Sequence, residues 1–139
     1  MTIKIFSSLP QSAVKIRKSV FIDEQGFVAE FDDKDDVAVH LVVFAESGLP
    51  IATCRIYKEC DQNCYVIGRV AVIKEFRGKN IGSVMLGEAE RYIKQNGWEC
   101  IVLHAQQRIA DFYKKSGFME FGAVEYDEGR PHIRMKKYI

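Results

Sequence analysis

The sequence predicts an α+β (mixed α/β) domain, and three observations carry that expectation. Runs rich in β-branched and aromatic residues, bounded by turn chemistry, occur at Val37–Ala45, Ile51–Lys58 and Tyr65–Ile73. From Ile81 onward the apolar residues Ile81, Val84, Met85, Ala89, Tyr92 and Ile93 recur at the three-and-four spacing of an amphipathic helix. A glycine-containing loop, Arg77-Gly78-Lys79-Asn80-Ile81-Gly82, joins the third of those runs to that helix.

Taken in order, Thr2–Phe6 alternates polar and apolar residues and reads as a short strand. Pro10 suits a first helical position, and a helical pattern then runs through about Glu24. Val14, Arg17, Lys18 and Phe21 share one stripe of it, Ala13, Ile16 and Val20 the neighbouring one, and Gln25-Gly26 ends it. The acidic segment Phe27–Asp36 lacks the glycine and terminal glutamate of an EF-hand loop, which argues against calcium. It reads either as a solvated loop or as a lip that attracts a cationic acceptor.

Val37–Ala45 and Ile51–Lys58 flank Glu46-Ser47-Gly48-Leu49-Pro50 and should form an antiparallel hairpin. Asp61-Gln62-Asn63 supplies the turn into a fourth strand, Tyr65–Ile73, whose unbroken apolar end Val70, Ala71, Val72, Ile73 reads as buried. The long helix should close at Asn96-Gly97. Trp98–Ala105 is then a strand and Arg108–Ser116 a short helix capped by Gly117. Phe118–Tyr126 and His132–Tyr138 pair around Asp127-Glu128-Gly129-Arg130-Pro131.

A length of 139 residues fits one domain over 1–139. Composition, 47% hydrophobic and 28% charged, is that of an ordinary globular chain, and a net charge of +1 argues against a nucleic-acid partner because no face can carry a large basic excess. No apolar run approaches the ~18 residues of a membrane helix and MTIKIFSSLP has no signal-peptide core, so neither a membrane partner nor export is expected; the expected location is cytoplasmic, as a monomer or a homodimer. Cys60 and Cys64 could begin a metal site, but no second Cys/His pair at zinc spacing accompanies them. No metal is therefore expected, and Cys54, Cys60, Cys64 and Cys100 are expected as free thiols.

The loop at 77–82 has a chemical use. The first turn of a helix leaves backbone N–H groups without partners and carries partial positive charge, and small residues let a phosphate approach them. Gly78, Asn80 and Gly82 tolerate positive φ, while Arg77 and Lys79 add cations at the mouth. The sequence is not a Walker loop, since Ser83 rather than Lys follows Gly82. Glycines that merely allow close packing at a helix start are the other reading of the same residues.

The stretch from Arg69 to Leu86 resembles motif A of the GNAT N-acetyltransferase superfamily, a strand followed by [RQ]-x-x-G-x-[GA] and a helix. Asn80 departs from it, standing where the motif usually has its first glycine. Ala110 to Phe118, ADFYKKSGF, is similar to that superfamily's FYxxxGF element at the expected separation. RKSVFIDEQ (17–25), His40-Leu41-Val42, LHAQ (103–106) and Gly129–His132 with Met135 resemble the small ElaA-like bacterial branch. The resemblance implies a mixed, mostly antiparallel sheet splayed between strands four and five, with acetyl-CoA in the splay. It implies pantetheine contacts from the backbone of Val70, Ala71 and Val72, and pyrophosphate contacts from Arg77, Gly78, Lys79, Asn80, Ile81, Gly82 and Ser83. Gln106 stands where the family often has a cofactor-contacting Asn.

Acetyl transfer to a small-molecule or peptide amine requires a neutral amine, an oxyanion donor and a proton for the leaving thiolate. The resemblance implies a backbone N–H near Val72 as that donor and Tyr113 as that acid; a helix-face aromatic packed on the sheet is the other reading of Tyr113. His104 has the intrinsic pKa of a base and is otherwise a core histidine. Glu24, Gln25, Arg55, His40 and His132 are candidate acceptor-binding groups, or structural polar contacts. A non-catalytic CoA-binding or protein-interaction module of the same fold is the alternative function.

Overall fold

A computed structural model describes residues 1–59 and 63–139; Cys60 and, from the expected turn, Asp61 and Gln62 lie outside the described residues. Seven strands form one sheet: β1 (Thr2–Phe6), β2 (Val39–Phe44), β3 (Pro50–Glu59), β4 (Cys64–Val72), β5 (Cys100–Gln106), β6 (Met119–Asp127) and β7 (Arg130–Tyr138). Their spatial order is β1-β2-β3-β4-β5-β7-β6. Every neighbouring pair is antiparallel except β4 and β5, so the sheet is mixed and mostly antiparallel. The β4–β5 ladder has only the pairs Tyr65↔Ile101 and Val66↔Val102, after which the strands part. This is the expected splay.

Helix α1 (Gln11–Arg17) continues as a π-helical segment, Lys18–Glu24, in which Gln25 N–H reaches back to Val20 O. The expected helix thus has its predicted extent, but its second half is wound more widely. Ala13, Ile16 and Val20 bury that element against Val42 and Ala71 on one sheet face. On the other face α3 (Ile81–Gln95) buries Met85, Leu86, Ala89 and Ile93 against Leu41, Ile67, Ile101 and Leu103. Met85, Ala89 and Ile93 are among the positions the three-and-four spacing selects; Leu86 joins them, whereas Val84 is exposed. Short helix α4 (Ala110–Lys115) closes the far end of β5.

Three expectations are corrected. Val37 belongs to a single helical turn, α2 (Lys34–Val37), rather than to a strand, because Asp35 is turned inward onto buried arginines. β5 begins at Cys100, two residues after Trp98. Cys64 and Cys100 are disulfide-bonded, Cα atoms 4.7 Å apart, not free thiols. Each directly precedes a residue of the first parallel pair, Tyr65↔Ile101, so the two stand side by side, an adjacency that spacing along the chain does not reveal. Cys54 is free and buried, and burial pushes its thiol up to about 12.

β4 also carries a bulge. Thr53 pairs with Ala71 and Arg55 with Gly68, so β4 has one residue more than β3 between those rungs. Arg69 within it has φ +51°, a left-handed conformation that L side chains seldom take.

Candidate functional site

Beyond Val66 the β5-facing edge of β4 has no strand partner, leaving backbone polar groups without a ladder. Val70, Ala71 and Val72 on that edge line a cleft of about 660 Å³, together with Arg77, Gly78, Asn80, Ile81, Gly82 and Ser83. Gly78 and Asn80 do adopt positive φ, +77° and +64°, so Asn substitutes for glycine at the helix start as its short side chain allows. Gly82 does not. A Cβ there would lie 3.0 Å from Phe112 Cζ, so its role is close approach rather than backbone freedom. Asn80 makes no side-chain cap, and the first intrahelical bond is Val84 N–H to Asn80 O. The N–H groups of the preceding turn therefore face the cleft with no helical acceptor.

Arg77 grips Glu24 through Nη1 and Nη2 at 2.7 and 2.8 Å and donates from Nε to Val72 O at 2.9 Å. Glu24, expected to bind the acceptor, lines the same cleft and is held by the loop arginine, whose hydrogen bonds keep its carboxyl below the usual range. Lys79 lies outside the cleft lining, its ammonium 4.9 Å from the Phe76 ring centre. Arg108 and Lys115 line the cleft instead. Nothing in the sequence pattern singled them out.

A second, smaller chamber of about 80 Å³ adjoins this cleft, and Val70, Ile109 and Tyr113 line both. Tyr113 is 4% exposed and wedged edge-on between Phe112 and Phe118; burial pushes its phenol well above the ordinary tyrosine range, so the hydroxyl stays protonated. The chamber opens toward an outer hollow of about 300 Å³, the two sharing Gly68, Arg69, His104, Asp127 and His132. His104 presents its surface to solvent, yet the walls around its ring partly dehydrate it, and this lowers its pKa. His132 Nδ1 lies 2.9 Å from Arg130 O. Gln106 lines the small chamber and donates from Nε2 to Gln25 Oε1 at 2.8 Å, linking the ends of the first helix and β5.

Behind the chamber lies a charged network that the sequence did not reveal. Arg17, 1% exposed, donates from Nε to Glu30 at 2.8 Å and from Nη1 to Asp35 at 2.7 Å. Arg55 Nη1 binds Asp32 at 2.6 Å and Asp35 at 3.0 Å, and Arg69 bridges Glu30 and Asp32 at 3.2 Å each. Three guanidinium groups face three carboxylates. Burial alone would raise the Asp35 carboxyl, but its bonds from Arg17 and Arg55 outweigh that and hold it at about 2. For Glu30 burial wins, and its carboxyl is raised.

Two of the expected acceptor-binding groups are engaged by this network. Arg55 borders the outer hollow with its guanidinium on Asp32 and Asp35; His40 is buried, with Nε2 3.0 Å from Asp35 O, and burial lowers its pKa. The acidic segment is accordingly neither a solvated loop nor a simple lip, since Glu30 and Asp35 point inward. Arg17, placed on a helix stripe between the apolar Val14 and Phe21, was the one signal that could have exposed this.

The roof is held from the opposite end of the chain. Glu128, with φ +49°, accepts the N–H groups of Val28 and Ala29 at 2.9 and 3.0 Å. Arg130 stacks 4.4 Å from the Phe27 ring centre and donates to Gln25 O. Among the described residues no group of three or more His, Cys, Asp or Glu is arranged to hold a metal ion, and no helix is long and apolar enough to cross a membrane.

With this geometry in view, the chain can be compared with known proteins. Residues 10–139 match the family described as Acetyltransferase (GNAT) domain. Among curated proteins, ElaA of Escherichia coli (strain K12) is 29% identical over 132 residues, covering 91% of this chain and 85% of ElaA. YjcF of Bacillus subtilis (strain 168), named an uncharacterized N-acetyltransferase, is 28% identical over 130 residues, with 91% of both chains covered. The crystal structure of E. coli ElaA superposes with a TM-score of 0.85, covering 98% of each chain at 26% identity. An aminoglycoside 6′-N-acetyltransferase complexed with coenzyme A shares the fold, with a TM-score of 0.76 at 13% identity over 99% of this chain and 97% of that one.

Proposed function

Because this chain belongs to the GNAT acetyltransferase family, we propose that it is an acetyl-CoA-dependent N-acetyltransferase of a primary amine, working as a single cytoplasmic domain over 1–139. One observation carries the reading: the unladdered edge of β4 runs between two cavities of unequal size that meet at a buried tyrosine. The fit to coenzyme A is chemical. Backbone at 70–72 without a β5 partner suits an amide-bearing arm, and the N–H groups at the start of α3, with Arg77 and Arg108 beside them, suit a pyrophosphate. Acetyl-CoA supplies an activated acyl group; the chain's own residues align, stabilise and move protons.

The acceptor reaches the small chamber as an ammonium ion, since an alkylamine of pKa ~10.4 is less than about one part in a thousand neutral at pH 7. His104, whose lowered pKa leaves it neutral at that pH, takes the proton directly or through water. The nitrogen lone pair then forms a C–N bond to the thioester carbonyl, and a β4 backbone N–H near Val72 stabilises the oxyanion. As the C–S bond breaks, the sulfur takes the Tyr113 proton, and the second proton shed by the nitrogen as it becomes an amide returns through water to the phenolate. Burial makes that phenol a weaker acid than free tyrosine, so it gives up its proton only to a thiolate forming in contact with it.

The test is thiol release from acetyl-CoA across a panel of primary amines, with wild type and Tyr113→Phe. We expect turnover with some amine, and a fall of about 10²-fold or more in kcat for the variant at unchanged acetyl-CoA affinity. Acetyl-CoA binding without turnover on any amine would instead favour a non-catalytic acyl-CoA-binding module.

A further inference from the structure

The charged groups around the acceptor side can be balanced one by one. Glu30, Arg55 and Arg69 cancel within the buried network, and Glu125 lies 3.4 Å from Arg134. What remain without an ion pair are Arg130, which is engaged by the Phe27 ring and the Gln25 carbonyl, and Asp127. Asp127 lines both the inner chamber and the outer hollow, and among the described residues its carboxylate has no hydrogen-bond or ion-pair partner. A carboxylate without an ion-pair partner at the junction of two cavities is a locus for a cation.

The shape of the space adds a second constraint. The inner chamber, about 80 Å³, sets Phe27, Leu103, Ile109 and Tyr113 against Glu30, His104 and Gln106, whereas the hollow outside it is about 300 Å³ and bordered by the 73% exposed Tyr126. A slender unbranched chain fits the small inner space and a hydrated or cationic group the outer one, where an aromatic face is also available.

We infer that the acceptor is an unbranched aliphatic primary amine bearing a second positive charge, with Asp127 holding that distal cation in the outer hollow while the attacking nitrogen lies inside. The inference rests on the acetyltransferase reading above and adds the class of acceptor and its selecting residue. Long-range attraction does not supply this preference, because the protein's net charge is only +1.

The experiment is calorimetric titration of 1,4-diaminobutane and of n-butylamine into the protein loaded with coenzyme A, repeated with Asp127→Asn. Asp127 is exposed and unpaired, so the variant should fold with an unchanged melting temperature. The diamine should bind roughly tenfold or more tightly than the monoamine to wild type, a ratio that falls to about one in the variant. Equal binding of the two amines, a ratio that survives Asp127→Asn, or no binding of either overturns the inference. The two proposals fail separately: acetyl-CoA that does not bind sinks the acetyltransferase reading, while acetyl-CoA that binds beside unselective amine binding sinks only this one.

Discussion

The larger cleft and the inner chamber meet at Tyr113 but are built in opposite ways. The cleft is centred on one continuous stretch, Val70 to Ser83, where a strand edge, a tight loop and a helix start follow one another, with the first helix and the segment from Arg108 to Lys115 at its sides. The chamber is made of side chains from four separate segments, and contacts such as Glu128 to Val28, 100 residues apart, hold it together. A surface of backbone groups is specified wherever its local geometry is specified. A wall of side chains needs a scaffold to stand on, and here that scaffold is the network of Arg17, Glu30, Asp32, Asp35, Arg55 and Arg69.

Removing the centre of that scaffold should have the largest effect. Arg17→Ala leaves Glu30 and Asp35 buried without their main partner, and should cost about 3–5 kcal/mol of stability. For a chain of this size that is a fall of roughly 10–17 °C in melting temperature; a change below about 2 °C would refute the scaffold role. Acid should attack the same place. The Asp35 carboxyl is depressed in the folded state, so the stability it contributes is present above the unfolded pKa near 3.8 and is lost as pH falls toward about 2. On the order of 2 kcal/mol should disappear across that window, and Asp35→Asn should shrink the dependence by about that much in urea titrations at pH 2 to 5, leaving the smaller part due to the other depressed carboxylates, Glu24 and Asp32. Glu30, raised by burial, runs the other way and favours the fold at lower pH, so Glu30→Gln should steepen the acid loss.

The cleft should respond to smaller, local changes. Gly82→Ala puts a methyl group 3.0 Å from Phe112 Cζ, and the ring must yield into the space the ligand would use. We expect acetyl-CoA affinity to fall several-fold while amine affinity holds; stability should hold or rise, since alanine favours a helix over glycine by about 0.5–1 kcal/mol. The smallest effect belongs to Glu128→Gln, which weakens the two backbone bonds of the roof. The amine KM should rise a few-fold at most, with acetyl-CoA binding unmoved. If both ligands weaken together in either variant, the two cavities are not independently built.

The same division explains what could be read in advance. The long helix, the hairpins and the Asn80 turn were legible, because three-and-four spacing, turn chemistry and tolerance of positive φ are all local properties. The unladdered β4 edge followed from family resemblance, which carries long-range information that one sequence otherwise lacks. Arg55, His40 and Glu24 look like ligand-binding groups in a linear sequence; the partner that each also has is brought close only by folding. Gly82 was singled out for backbone freedom, but its neighbour Phe112 lies 30 residues ahead. The π-helical turn had no visible sequence signal.

The Cys64–Cys100 bond spans 36 positions, and inside that span lie the free strand edge, the loop and the whole of α3. The acyl-carrier side of the molecule is thus threaded on a covalent ring. A protease nick at Lys74 or Arg77 would leave both fragments travelling as one species until a reductant is added, so gel mobility with and without reductant reports whether the ring is closed.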